Sequence, residues 1–165
     1  LKQAGEVLEL SDYLDTDVVQ LHADITLTEV KKLRTSRRGL KIIKSIIIGN
    51  SPLPQLLNML GQFSPLVDAF ITDTYDPVSG ATGATGKTHD WEISRNIVNQ
   101  APVPVILAGG LNPGNVGDAI LKVRPAGVDV HSGVEDSSGK KNPEKIKLFM
   151  KRAARAFSEI NKKAT

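Results

Sequence analysis

The feature that most constrains this chain is a regular alternation of helix-like and strand-like segments along its 165 residues. Residues 3–14 place Val7, Leu8, Leu10 and Leu14 among acids and read as a helix; 17–22 read as a strand. Thr26 or Thr28 can cap a helix over 28–36, where Leu27, Val30 and Leu33 recur at helical spacing. Residues 40–48 are almost continuously apolar and β-branched, the pattern of a strand buried on both faces. Pro52 and Pro54 open a short helix over 53–63. A third strand over 68–74 runs into a long glycine-rich loop, after which Asp90 caps a helix over 90–99. Residues 103–108 form a fourth strand ending in Gly109-Gly110, and Asn112-Pro113 opens a helix with proline in its first position. That helix buries Val116, Ala119, Ile120 and Val123. Residues 126–130 are the fifth strand. The last helix, over 143–162, carries an apolar stripe of Ile146, Phe149, Met150, Ala153, Phe157 and Ile160.

Helices and strands in alternation with short connections imply an α/β fold on a parallel sheet. No linker, repeat or low-complexity tract divides the chain, so a single domain over 1–165 is expected. Composition narrows the function. No apolar run approaches the roughly 18 residues of a membrane helix, and Leu1 opens directly into a polar segment rather than a leader, so no membrane association is expected. The chain has no cysteine, which excludes disulfides, thiolate metal sites and cysteine nucleophiles from it and suits a reducing cytoplasm. Its net charge is +3, and Lys31, Lys32, Arg34, Arg37 and Arg38 read as a solvated face. With 4% aromatic residues there is no stacking platform, and no nucleic acid is expected as partner. The three histidines lack carboxylates at ligand spacing, so neither metal nor cofactor is expected.

The polar and glycine residues gather at the carboxyl ends of the strands: His22, Asp73, Gly109-Gly110, and then 129–133. Both doubly wound sheets and (β/α)8 barrels place ligands there, and two glycine-bearing strand ends late in the chain suit the barrel's phosphate site.

Several stretches carry a family likeness: Val19-Gln20-Leu21-His22, Thr72-Asp73-Thr74, Gly83-Ala84-Thr85-Gly86-Lys87-Thr88-His89-Asp90-Trp91, PVILAGGLNPGNV over 104–116, and GVDVHSGVE over 127–135 followed by Gly139-Lys140-Lys141. In this order they resemble the C-terminal part of phosphoribosylanthranilate isomerases. The resemblance implies a TIM (β/α)8-barrel type fold, here an incomplete barrel corresponding to about strands 4–8. It also implies an Amadori rearrangement of N-(5-phosphoribosyl)anthranilate in tryptophan biosynthesis. That reaction needs a general acid at the ribose ring oxygen, a base for the C2 proton and a grip on the phosphate. Asp73 matches the family's general acid, and Gly109, Gly110, Ser132 and Gly133 its phosphate cradle. Asp129 matches a pocket residue, His22 a pocket-lining one, and Gly86 lies in the glycine loop of the substrate side. Strand alternation would project Asp129 and His131 together, away from Val128 and Val130, and His131 is counted with the substrate-binding residues. The implied partner is a small phosphorylated sugar-amine.

Departures from the family matter equally. Its general base is a cysteine on the first strand, and this chain has neither that residue nor counterparts of the first three βα units. A chain truncated at its N-terminus is therefore expected, inactive by itself, with either an absent N-terminal segment or a second copy covering the open sheet edges. Ile47 stands where many members carry arginine, His89 and His131 replace the usual Phe and Ser, and GAT is doubled over 80–85. Three rival readings remain open. The first is a P-loop protein, although Ala81 occupies the position its first glycine requires. The others are a different phosphate-binding barrel enzyme and a non-catalytic phosphate-binding remnant.

Overall fold

Five strands, β1 (Val18–Leu21), β2 (Lys41–Ile48), β3 (Ala69–Thr74), β4 (Val105–Leu107) and β5 (Gly127–Val128), pair side by side in chain order, all parallel. The computed structural model describes residues 1–22, 24–74 and 90–163. Six helices accompany the strands: α1 (Ala4–Tyr13), α2 (Leu27–Ser36), α3 (Leu53–Phe63), α4 (Trp91–Gln100), α5 (Val116–Val123) and α6 (Pro143–Lys163). The order β1-β2-β3-β4-β5 never reverses. A doubly wound sheet has a switch point where the order turns back, so the winding is that of a barrel wall.

The long apolar run of β2 is the reason the sheet has a centre. Ile42, Ile46 and Ile48 are at most 1% exposed, packed in one cluster with Val30 and Leu33 of α2 and with Leu56 and Leu60 of α3. The β2–β3 register pairs Ile43 with Ala69 through Ile48 with Thr74, which sets Ile47 beside Asp73. Side chains alternate along a strand, so Asp73 shares its face with Ile47 and Ser45, opposite to Phe70 and Thr72. A second cluster joins Leu107, Val116, Ile120 and Val123 to Phe149, Ala153 and Ala156 of α6. Thr26 caps α2 by accepting from the Glu29 amide, and Asp90 caps α4 by accepting from Glu92, as their residue types predict.

Three expectations are corrected. Pro113 does not begin α5. The Asn112 side chain accepts from the Gly114 amide (2.7 Å), and the Asn115 side chain accepts from the Asn112 amide (2.8 Å). Asparagines that bond their own backbone compete with helix, so residues 113–115 form a turn and α5 starts at Val116. The last two strands are shorter than read: β4 begins at Val105, and β5 ends at Val128. Met150 is 64% exposed, and Ala156 takes its place in the stripe, because Phe149, Ala153, Ala156 and Ile160 fall on one line of the helix. Among the described residues no helix is long and apolar enough to cross a membrane.

Candidate active site at the strand ends

The carboxyl ends of β3, β4 and β5 enclose a cavity of 190 Å³. Its wall is made of three pieces: Asp73 from β3, the turn Ala108–Leu111 after β4, and residues 129–133 after β5. The sequence reading placed Asp73, Gly109, Gly110, Asp129, His131, Ser132 and Gly133 at a site, and the fold brings all of them to this one cavity.

Asp73 is half-buried on the penultimate position of β3, and its carboxylate accepts from the Thr74 amide at 2.8 Å. Burial pushes its pKa up, and the neighbouring charge of Asp129 adds to this. The Thr74 hydrogen bond and His22 pull the other way without cancelling it. A carboxyl group held in its protonated form at higher pH can serve as a proton donor.

The glycine turn follows from two backbone demands. Gly109 (φ 99) and Gly110 (φ 64) lie in the left-handed region, which a side chain disfavours. Just before them Thr72 stitches β4 to β3: its hydroxyl accepts from the Ala108 amide (3.1 Å) and donates to the Ala108 carbonyl (3.2 Å). Gly133 answers a different demand, since a Cβ there would overlap the Leu111 carbonyl. The 3-10 turn Ser132–Val134 is thereby seated directly against the glycine turn. None of the Gly109, Gly110, Ser132 and Gly133 amides donates to another described residue. Four such donors belong to residues that line one small cavity, the kind of group that can hold an anion.

Strand alternation does not govern Asp129 and His131, because β5 stops at Val128 and the chain turns. His131 has φ −114 and ψ −85, and its imidazole Nδ1 stands 3.4 Å from Glu135 Oε1, with the side chain 67% exposed. His22 is not brought to the Asp73 cavity. It lines two others, an apolar one of 560 Å³ beside α1 and β1 and one of mixed lining, 460 Å³, with Asp24, Lys44 and Asn50 beside Ile47 and Leu56. Its charge nonetheless reaches Asp73. Gly86, the GKTHD segment and the P-loop alternative fall outside the described residues. Among those described, no group of three or more acidic or histidine side chains could hold a metal.

Thr72, Glu135 and Lys141 stand in the sequence only as members of motifs, with no role attached to them. Glu135 and Lys141, which form an ion pair of 2.7 Å, lie six residues apart in irregular chain where no periodicity points to them.

A profile of the N-(5'-phosphoribosyl)anthranilate isomerase family matches residues 2–152. N-(5'-phosphoribosyl)anthranilate isomerase 2 of Methanosarcina mazei is 43% identical over 161 residues, covering 97% of this chain and 70% of that protein. The isomerase of Methanothrix thermoacetophila is 37% identical, covering 89% of this chain and 65% of its own length. A solved phosphoribosyl anthranilate isomerase in complex with reduced 1-(o-carboxyphenylamino)-1-deoxyribulose 5-phosphate superimposes with a TM-score of 0.70 at 28% identity, covering 92% of this chain and 66% of that one. The chain thus spans about two thirds of the length of the relatives it matches.

Proposed function

Because the chain belongs to the N-(5'-phosphoribosyl)anthranilate isomerase family, we propose that its strand-end cavity holds the phosphate of a phosphoribosyl arylamine while Asp73 protonates the ribose ring oxygen. The supporting observation is the placement of an acid with raised pKa on the wall of a cavity lined by four residues whose amides have no acceptor among the described residues. The amides of Gly109, Gly110, Ser132 and Gly133 bind the phosphate. The proton from Asp73 goes to the ring oxygen as the C1–O bond breaks, and the nitrogen lone pair forms an iminium at C1. A base then takes the C2 proton to give the enolamine, which tautomerises to the aminoketose. Asp129 and His131, on the wall of the same cavity, line the path of the sugar and the aryl group.

The five strands correspond, in this reading, to strands 4–8 of a (β/α)8 barrel, with residues 1–165 forming one unit of it. The base lies outside them, since no cysteine is present. Strands from a preceding segment or from a second copy cover the open edges. The same absence favours one second reading, a phosphate-binding remnant without turnover.

The test is a pair of measurements. Inorganic phosphate is titrated into this chain, and turnover of phosphoribosylanthranilate is measured for the natural gene product with and without Asp73→Asn. Phosphate binding with a loss of about 10²–10⁴-fold in kcat upon the substitution supports the isomerase. Phosphate binding without any turnover supports the remnant. Failure to bind phosphate removes both readings.

A further inference from the structure

Half of the cradle stands on chain that has no regular structure to hold it. Ser132 and Gly133 sit in a single 3-10 turn after a strand of only two residues. A lone turn of this kind is weak by itself, yet the two amides must stay aimed at the same point as those of Gly109 and Gly110. We propose that Glu135 and Lys141 are positioning residues that brace this turn, and so fix the phosphate cradle without touching the phosphate. The inference rests on the phosphate reading of the cavity and names what keeps that cavity in shape.

The brace is visible as a set of hydrogen bonds that span the turn from both ends. The Lys141 ammonium donates to the His131 carbonyl at 2.8 Å, the residue before the turn. It donates also to the Glu135 carboxylate at 2.7 Å, the residue after it. The Glu135 amide donates to the Ser132 carbonyl (3.0 Å) and closes the turn itself. The Glu135 carbonyl accepts from Lys145 of α6 at 2.6 Å, and Asn142 donates its amide to the Val134 carbonyl at 2.8 Å. Glu135 and Lys141 also pair through an antiparallel bridge. The hairpin between them is held by Asp136, whose side chain accepts from the amides of Ser138 (2.8 Å) and Lys140 (3.2 Å). The Glu135 carboxylate is only 20% exposed, and the hydrogen bond from Lys141 holds its pKa below the usual glutamate range. On its far side the turn is stopped by the Gly133–Leu111 contact, so it cannot slide past the glycine turn.

A brace and a plain attractive charge make opposite predictions. If Lys141 served the phosphate by its charge, neutralising its partner through Glu135→Gln would leave an uncompensated ammonium near the cavity and tighten binding. If the pair acts by geometry, the same substitution loosens the turn and weakens binding. The experiment is titration of inorganic phosphate into wild-type chain, Glu135→Gln, Lys141→Met and Lys141→Arg. Lys122→Met serves as control, breaking the exposed Lys122–Glu92 pair elsewhere. Glu135→Gln and Lys141→Met are expected to weaken binding about ten-fold, equivalent to roughly 1.4 kcal/mol. Lys141→Arg retains most of the affinity, Lys122→Met retains all of it, and all variants keep the wild-type unfolding transition to within a few degrees. Tighter or unchanged binding in Glu135→Gln overturns the brace. If the wild-type chain binds no phosphate, the reading of the cavity falls, and the brace is then judged by amide hydrogen exchange. Exchange at Ser132 and Gly133 accelerates in Lys141→Met if the brace exists, and unchanged exchange overturns it.

Discussion

Asp73 and Lys44 sit on adjacent strands but on opposite faces of the sheet, and burial drives them in opposite senses. The lysine, 6% exposed and donating to the carbonyls of Leu21 and Ser45, has its pKa lowered by burial against the pull of Asp24. Burial raises that of Asp73. Asp73 in the folded chain therefore holds its proton to higher pH than in the unfolded chain, whose carboxyl titrates near about 3.9. Between those two values the folded state binds more protons, so stability falls as pH rises through the window. Asp73→Asn keeps an acceptor for the Thr74 amide and removes the charge. It should melt above the wild type at pH 7, with the gap closing toward pH 3, in thermal unfolding followed by circular dichroism. At this scale the candidate cavity was readable where a β-branched run ends in glycine or acid, as at Asp73 and Gly109-Gly110. His22 was placed at a strand end correctly, but which cavity that end borders depends on packing beside α1 and β2 that no local pattern encodes.

Elements here are joined by side chains as much as by the sheet. Asp68, just before β3, accepts from Arg34 of α2 (2.6 Å), from the Ile42 amide of β2 (2.8 Å) and from Lys41 (3.2 Å). Burial alone would raise its pKa, yet these hydrogen bonds outweigh it and hold the carboxyl low. The sign is the reverse of that for Asp73: the stability Asp68 supplies is present above the unfolded carboxylate value and is lost as pH falls through the lowered one. Asp68→Ala should cost about 1.5–3 kcal/mol at pH 7, the range for hydrogen bonds to a charged group, measured as a lower urea midpoint with an unchanged slope. Most helices and strands were legible from periodicity, because α2, α3 and β2 each bury a full stripe. The misplaced start of α5 was not, since a proline after an asparagine fits both a helix opening and a turn. Two mutually bonded asparagines, Asn112 and Asn115, decided for the turn.

The whole sheet is a run of parallel strands in chain order whose outer members, β1 and β5, each pair on one side only among the described residues. Val18 on β1 is 47% exposed, and Leu10 and Leu14 nearby are 44% and 59% exposed beside the apolar cavity of 560 Å³. An edge of this kind invites pairing. The chain by itself should show a rising apparent mass with concentration in sedimentation velocity, and Leu14→Lys with Val18→Lys should shift it back toward monomer. The parallel sheet was foreseeable from alternation alone. The unreversed strand order was not, because a doubly wound sheet uses the same alternating elements; only the glycine-bearing strand ends and the family likeness pointed to a barrel.

That order carries a consequence for how the chain is made. Among the described residues every strand pairs with the strand made just before or just after it, so the sheet contacts described there do not wait for a distant part of the sequence. Loop-closure entropy is small for such near neighbours, and domains emerge from synthesis with their N-terminal parts first. Each strand–helix unit can dock on the previous one as it leaves the ribosome, and the sheet grows from a single side like a wall laid course by course. The cradle proposed for phosphate, built from the last two strand ends, then takes shape late, with only α6 following it in the chain.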